Sequence, residues 1–263
     1  SHDPRRFLMF LKKALLASCA VLAFAASGAF AAEQYIVGTG ATYRPFEYET
    51  PQKELVGFDV DLMRAIAKAE GFEVKFINTP WEGIFATVDK GDRDIIMSGI
   101  TITDKRKEAV DFSKPYFLAH QLILTQKDTK IEKLGDLKKG NVAVVNGSAG
   151  DIAASTEFGK ASTRIRRFDN TPLALEELNQ GGVAAVIGDV GVLNFYSLNN
   201  PDKHFNAARD PAFKEQYFGI AVKKGNKALI DKINAGLDKV IANGEYDKIY
   251  RKWFGTAAPK LPQ

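Results

Sequence analysis

The chain has 263 residues, about 45% hydrophobic and 26% charged, the balance of an ordinary globular protein. That excludes a disordered chain, a collagen-like fibre and a polytopic membrane protein. One cysteine, Cys19, excludes a disulfide framework and any multi-cysteine zinc or iron–sulfur site.

The first 31 residues stand apart. Lys12 and Lys13 form a positive region after Met9, Ala14 to Phe24 form an apolar stretch, and Ala29-Phe30-Ala31 is a small-x-small site. This is the pattern of a cleaved secretory signal peptide. The apolar part is only marginally long enough for a membrane span, which needs roughly 20 residues, and it is diluted by serine, glycine and alanine. Leu16-Ala17-Ser18-Cys19 matches a lipobox, but the apolar run continues beyond Cys19, so an ordinary leader is favoured over lipid anchoring. Ser1–Leu8 precede the expected initiator and read as vector-derived. Without residues 1–31 the chain has 32 basic and 31 acidic residues, a net charge of +1. That balance points to neither nucleic acid nor an anionic membrane as partner.

Strand and helix signals then alternate. Tyr35–Thr39 reads as a strand and Phe58–Ala69 as a helix, with Asp59 as expected N-cap and Gly71 as stop. Val74–Asn78 is a strand, Trp81–Lys90 a helix ended by Gly91, and Asp94–Ser98 a buried parallel-type strand. Leu122–Gln126 is a strand, Ile131–Leu137 a short helix, Asn141–Val145 a strand and Gly150–Phe158 a helix. Strand 164–168, helix 172–179, strand 184–188 and helix 190–199 follow. An extended apolar segment at 217–222 precedes two closing helices, 227–243 and 246–253. Repeated β–α–β units imply parallel sheets covered by helices. The layout predicts an α/β chain of two lobes, 32–119 with 218–263 and 120–217, joined by two extended crossings. A ligand cleft is expected between the lobes.

No HExxH, GxSxG or Walker loop is present, and His120 and His204 have no metal-ligand spacing. Nucleophilic triads and metal hydrolysis are therefore disfavoured, and no metal or cofactor is expected. The informative stretch is Gly99 to Arg106, GITITDKR. Gly99 permits close backbone approach, Thr101 offers a hydroxyl and an N–H, and Thr103 or Asp104 can cap the next helix. Arg106 can present a planar fork to a carboxylate. On spacing alone it serves equally well as a surface partner of Asp104, Glu108 or Asp111.

Several motifs occur in order: Tyr43-Arg44-Pro45-Phe46-Glu47-Tyr48, Val56-Gly57-Phe58-Asp59-Val60-Asp61-Leu62, Gly99–Arg106, Asp111–Tyr116 and Gly244–Gly255. Together they resemble the periplasmic amino-acid-binding proteins of ABC importers, the glutamine/arginine/lysine/histidine-binding family. The resemblance spans residues 34–255 and implies the two-lobed, Venus-flytrap fold of type II periplasmic binding proteins, two doubly wound sheets joined by a two-segment hinge. It implies a non-enzymatic, monomeric periplasmic receptor that hands an L-amino acid to an inner-membrane permease.

The resemblance also implies site roles. Arg106, with Thr101, matches the arginine that holds the ligand α-carboxylate. Asp189 matches the acid that holds the α-ammonium, although on sequence it serves equally as a helix cap. The Gly99 carbonyl is a further ammonium acceptor, and Ile100 belongs to the same segment. Tyr43 and Trp81 match an aromatic pair around the ligand side chain, with core packing as their other reading. Ser148 and Ala149 lie in the loop whose N–H groups bind the carboxylate.

Four positions bear on the ligand. Gly40 replaces an acid, Val145 a lysine or other residue, Leu118 a glutamate of some arginine binders, and Gly188 a polar side chain. Glu47 does not discriminate, because glutamine binders carry it too. These departures put a glutamine-like side chain ahead of arginine and lysine. Two other classes are weighed. A dehydratase-like cleft enzyme would need a cleft carboxyl besides Asp189, and the sequence offers no compelling one. A sensing module is disfavoured because the chain runs to Gln263 with no transmembrane or signalling segment.

Overall fold

The computed structural model describes residues 31–262. The leader and lipobox readings fall on residues before these and lie outside the described residues.

The first strand, β1 (Gln34–Thr39), is followed by a three-stranded ribbon of β2 (Thr42–Tyr43), β3 (Glu47–Glu49) and β4 (Leu55–Val56). Helix α1 (Phe58–Glu70) buries Phe58, Leu62, Ala65 and Ile66 at helical spacing and ends at Gly71, whose φ of 73° closes it in the left-handed conformation. The expected cap at Asp59 is not formed. Gly57 occupies the N-cap position, and the N–H groups of Phe58 and Asp59 donate to the Pro45 and Phe46 carbonyls. Backbone carbonyls thus satisfy the helix start, which frees the Asp59 carboxyl for another use.

Next come β5 (Glu73–Asn78), α2 (Ile84–Asp89), β6 (Ile95–Ile96), α3 (Asp104–Ala109) and β7 (Val110–Phe112). The helix expected from Trp81 starts three residues later, so Trp81 sits in the preceding loop. The chain leaves through β8 (Phe117–Ala119).

The second half begins with β9 (Gln121–Thr125), and a 3-10 turn at Leu134–Asp136 stands where a short helix was expected. It continues through β10 (Val142–Val145), α4 (Ala149–Phe158), β11 (Ile165–Phe168) and α5 (Thr171–Asn179). Then follow β12 (Ala185–Asp189), α6 (Val190–Asn199) and β13 (Asn206–Ala208). The extended segment near 217–222 resolves into β14 (Gln216–Phe218) and β15 (Ala221–Lys223). Helices α7 (Lys227–Ala242) and α8 (Glu245–Phe254) follow. None of these helices is long and apolar enough to cross a membrane.

Two five-stranded sheets result, ordered β5-β1-β6-β15-β7 and β11-β10-β12-β9-β13. The inner strands are parallel, as the β–α–β reading requires. The added strands β15 and β9 run antiparallel because each enters its sheet directly from a crossing. The crossings themselves, β8 and β14, pair antiparallel, with Leu118 opposite Tyr217.

Each sheet packs helices on both faces. In the second, Ile123, Val142, Val144 and Ile187 face one core and Leu122, Leu124, Ala143 and Val186 the other, the two-residue period of a doubly covered strand. The first lobe has an aromatic core in which Phe46, Phe58, Phe117, Phe218 and Phe254 meet edge to face or stacked. Burying each is worth about 1.5–3 kcal/mol. Phe117 and Phe218 come from the crossing ribbon, so the ribbon is anchored in that core.

Candidate functional site

A cavity of about 320 Å³ lies between the sheets, at the carboxyl ends of the parallel strands, where open α/β sheets place their ligands. Strand ends deliver its lining: Gly40 follows β1, Ser98, Gly99 and Thr101 follow β6, Ser148 to Gly150 follow β10, and Asp189 ends β12.

Arg106 is in the first turn of α3. Its backbone N–H donates to the Thr103 hydroxyl, the cap that forms. Its guanidinium donates to the Thr101 carbonyl at 2.7 Å and to the Gly147 carbonyl of the opposite lobe at 3.0 Å. It also lies 5.2 Å from the Trp81 ring centre, within cation–π range. None of Asp104, Glu108 or Asp111 takes it in an ion pair among the described residues. Arg106 therefore faces the cleft, with its charge partly desolvated.

Asp189 occupies the N-cap position of α6, yet its side chain makes no capping bond. Its Oδ1 accepts from Gln121 Nε2 at 2.7 Å, and its Oδ2 accepts from the Tyr43 hydroxyl across the cleft. The capping alternative is thereby removed. Burial raises its pKa from 3.8 to about 6, against the lowering effect of Tyr43, Gln121 and Arg106. Burial and the neighbouring carboxylate push the Tyr43 hydroxyl well above its usual value, so it stays a donor. Trp81 Nε1 donates to the Asn146 carbonyl at 2.9 Å, another bond between the lobes.

Gly99 requires its residue type. Its φ is 57°, and an added Cβ would lie 2.7 Å from Tyr43 Cε1. In the second lobe Ser148 caps α4 through Asp151 N–H at 3.2 Å. Ala149 and Gly150 then open the helix, where N–H groups lack intrahelical acceptors.

Tyr43, Trp81, Gly99, Thr101, Arg106, Ser148, Ala149 and Asp189 all line this one cavity. Ile100 does not. Its side chain is fully buried in the first lobe's core, and its carbonyl accepts from Gly219 N–H. Of the four divergent positions, Gly40, Val145 and Gly188 line the cavity, but Leu118 lies in the crossing ribbon.

The sequence reading missed Gln121, Asn170 and Thr171, and it named Glu47 but set it aside. Gln121 orients Asp189; its signal was a polar residue opening the apolar strand QLILT. Asn170 and Thr171 line the wall at the start of α5, where Asn170 caps Leu173 N–H. Glu47 lines the floor, fully buried, with Oε1 accepting from Ser98 Oγ at 3.0 Å. Ser98 Oγ in turn accepts from Gly40 N–H at 3.0 Å. Beneath Glu47 lies Asp59, whose Oδ2 accepts from Gly99 N–H at 2.8 Å. Burial and the Asp59 charge hold Glu47 well above the usual carboxylate range, and burial raises Asp59 to about 6.

Residues 35–256 match the bacterial extracellular solute-binding proteins, family 3. The chain belongs to that family. It is 42% identical over 259 residues to the probable histidine-binding protein of Neisseria gonorrhoeae, covering 94% of this chain and 97% of the relative. It is 34% identical over 248 residues to ABC transporter arginine-binding protein 1 of Escherichia coli strain K12, covering 93% and 99%. Among solved structures, the arginine-, lysine-, histidine-binding protein ArtJ of Geobacillus stearothermophilus superposes with a TM-score of 0.82 at 41% identity, covering 87% of this chain and 97% of that one. The two sheet-helix lobes of this solute-binding protein are thus those of the type II periplasmic binding fold.

Proposed function

We propose that this protein captures an L-amino acid with a cationic side chain outside the cytoplasm and delivers it to an ABC permease. The carrying observation is a charge balance. Two buried carboxyls, Asp189 and Glu47, line the cavity with one guanidinium, Arg106, and a third, Asp59, is buried behind Glu47. A zwitterion sets its carboxylate against Arg106, with Thr101 and the α4 N-terminus, and its ammonium against Asp189 and the Gly99 carbonyl. Leaving either charge unpaired in a buried site is costly, so both residues are needed for any amino acid. What remains is the acidic pair Glu47–Asp59, which suits a positive side chain held between Tyr43 and Trp81.

This reverses the lean towards glutamine. That lean counted Gly40 and Leu118 as missing acids and Val145 and Gly188 as lost polar or basic side chains, and it discounted Glu47. The names of the relatives, histidine-, arginine- and lysine-binding, support the cationic reading. The lobes are taken to divide at 119/120 and 217/218. The β8–β14 ribbon then acts as hinge for a monomer that ligand closes.

The test is calorimetric titration of all common amino acids into residues 32–263, freed of bound ligand by unfolding and refolding. Arginine, lysine or histidine is expected to bind at least about tenfold more tightly than glutamine, a difference of ~1.4 kcal/mol. Glutamine binding most tightly overturns the cationic choice. Glu47 is also a second cleft carboxyl, the feature a dehydratase would use. Ligand recovered unchanged by mass spectrometry after prolonged incubation speaks for the receptor, and turnover overturns it.

A further inference from the structure

The three buried carboxyls are not alike. Asp189 has donors on both oxygens. Glu47 Oε2 and Asp59 Oδ1 are buried with no hydrogen-bond partner among the described residues, their other oxygens accept from the neighbouring residues Ser98 and Gly99, and the Asp59 charge acts on Glu47. Two ionised carboxylates offer only acceptors. The two unpartnered oxygens are satisfied only if a proton lies between them, and like charges so close cannot both ionise. The pair therefore holds one shared proton in the ligand-free cavity.

Its surroundings keep that proton in place. Facing the pair are Tyr43 from β2, Ser98 and Gly99 after β6, Tyr116 ahead of β8, and Asp189 at the end of β12. The Tyr116 hydroxyl is itself buried without a partner. Tyr246 of α8 feels the Asp59 charge from below. All are neutral or negative. The nearby guanidinium, Arg106, is directed at Asp189 and Tyr43. Buried carboxyls with no cation of their own stay protonated until one arrives.

We infer that Glu47 and Asp59 form a proton-for-cation exchange site, at which a positive ligand side chain displaces the shared proton to the buffer and takes its place as counter-ion. This rests on the cationic reading above and goes further. A neutral side chain leaves the proton where it is. Preference for cationic over neutral ligands then rises with pH, although the ligand's own charge is constant for arginine.

The experiment measures protons released per ligand bound. Arginine and its uncharged isostere citrulline are titrated by calorimetry in buffers of differing ionisation enthalpy, from about pH 5.5 to 8. Both ligands offer the same ammonium and carboxylate to Asp189 and Arg106, so their difference isolates the side chain. Arginine is expected to release up to one proton more than citrulline. The arginine-over-citrulline affinity ratio is expected to climb by as much as about tenfold per pH unit. In Glu47→Gln the amide can donate to Asp59 where the shared proton sat, so the fold is kept. There the extra release disappears and the ratio becomes flat with pH. Equal release by the two ligands at every pH overturns the exchange and leaves the cationic reading standing, as does extra release that persists in Glu47→Gln. Failure of arginine to bind where citrulline or glutamine binds overturns the cationic reading itself.

Discussion

Tyr43 of the first lobe donates its hydroxyl hydrogen bond to Asp189 of the second. The bond joins the residue read as an aromatic wall to the residue read as the ammonium partner. With Trp81 to Asn146 and Arg106 to Gly147, it is one of three polar links across the cleft among the described residues. The same side chains that would hold a ligand hold the lobes together.

Asp189→Asn is expected to weaken binding of every amino acid by about 2–5 kcal/mol, the cost of leaving a buried charge unpaired. Helix α6 should be intact by circular dichroism, because the wild-type side chain makes no capping bond. An unchanged dissociation constant would remove Asp189 from the ammonium role.

The same group sets a pH dependence of stability. Its folded pKa of about 6 exceeds the ordinary 3.8, so the ligand-free fold binds this proton more tightly than the unfolded chain does. The contribution to stability is fully present below about pH 4 and is lost as pH rises through 6, up to ~3 kcal/mol. Asp189→Asn removes that loss. Thermal melts should show the variant more stable than wild type at pH 8 and equal to it at pH 4. Equal melting points at both pH values would contradict the burial argument.

Arg106→Ala is expected to lower affinity for all amino acids by a hundredfold or more, about 3 kcal/mol. Arg106→Lys should recover little, since a point charge cannot reproduce the planar fork. Titration of both variants with arginine and glutamine decides it. Retained affinity for either ligand would assign the carboxylate elsewhere, most directly to the α4 N-terminus.

Most of the frame was legible in the sequence because it rests on local periodicity. The inner strands of both sheets and helices α1 and α4 to α8 follow from apolar spacing, with Gly71 as a boundary signal, whereas the edge strands β7 and β13 were not read. What escaped depends on tertiary partners. Asp59 has the chemistry of a cap, but Gly57 and two distant carbonyls do that work and free it to accept from Gly99 N–H behind Glu47. Ile100 sits between two cavity residues yet turns into the core, because Gly99 in the left-handed region redirects the chain. Leu118 was counted in the pocket, and only strand pairing puts it in the ribbon.

Gly40→Asp tests the cavity floor. Position 40 takes a side chain if the Ser98 hydroxyl gives by a few tenths of an ångström: an added Cβ lies 3.3 Å from Ser98 Oγ and 3.9 Å from Glu47 Oε1. A carboxylate there adds negative charge beside Glu47. The ratio of arginine to glutamine affinity should rise by about tenfold, ~1.4 kcal/mol. An unchanged ratio in competitive titration would mean that position 40 does not face the ligand side chain.

Gly191, the second residue of α6, tests closure apart from ligand chemistry. An added Cβ there would lie 2.9 Å from Phe46 Cζ and 3.0 Å from Cε2. Phe46 is fully buried, and its ring is wedged against Phe117 at 4.8 Å and Phe218 at 5.2 Å between centres. It has nowhere to move, and overpacking of this kind costs roughly 1–3 kcal/mol. In Gly191→Val that cost is avoided by keeping the lobes apart, so it is charged against the closed state. Affinity should fall for every amino acid by about tenfold or more, with the arginine-to-glutamine ratio unchanged. Small-angle scattering at saturating arginine should give a larger radius of gyration than wild type. A variant that closes normally and binds as tightly would mean that α6 does not meet the first lobe in the ligand-bound protein.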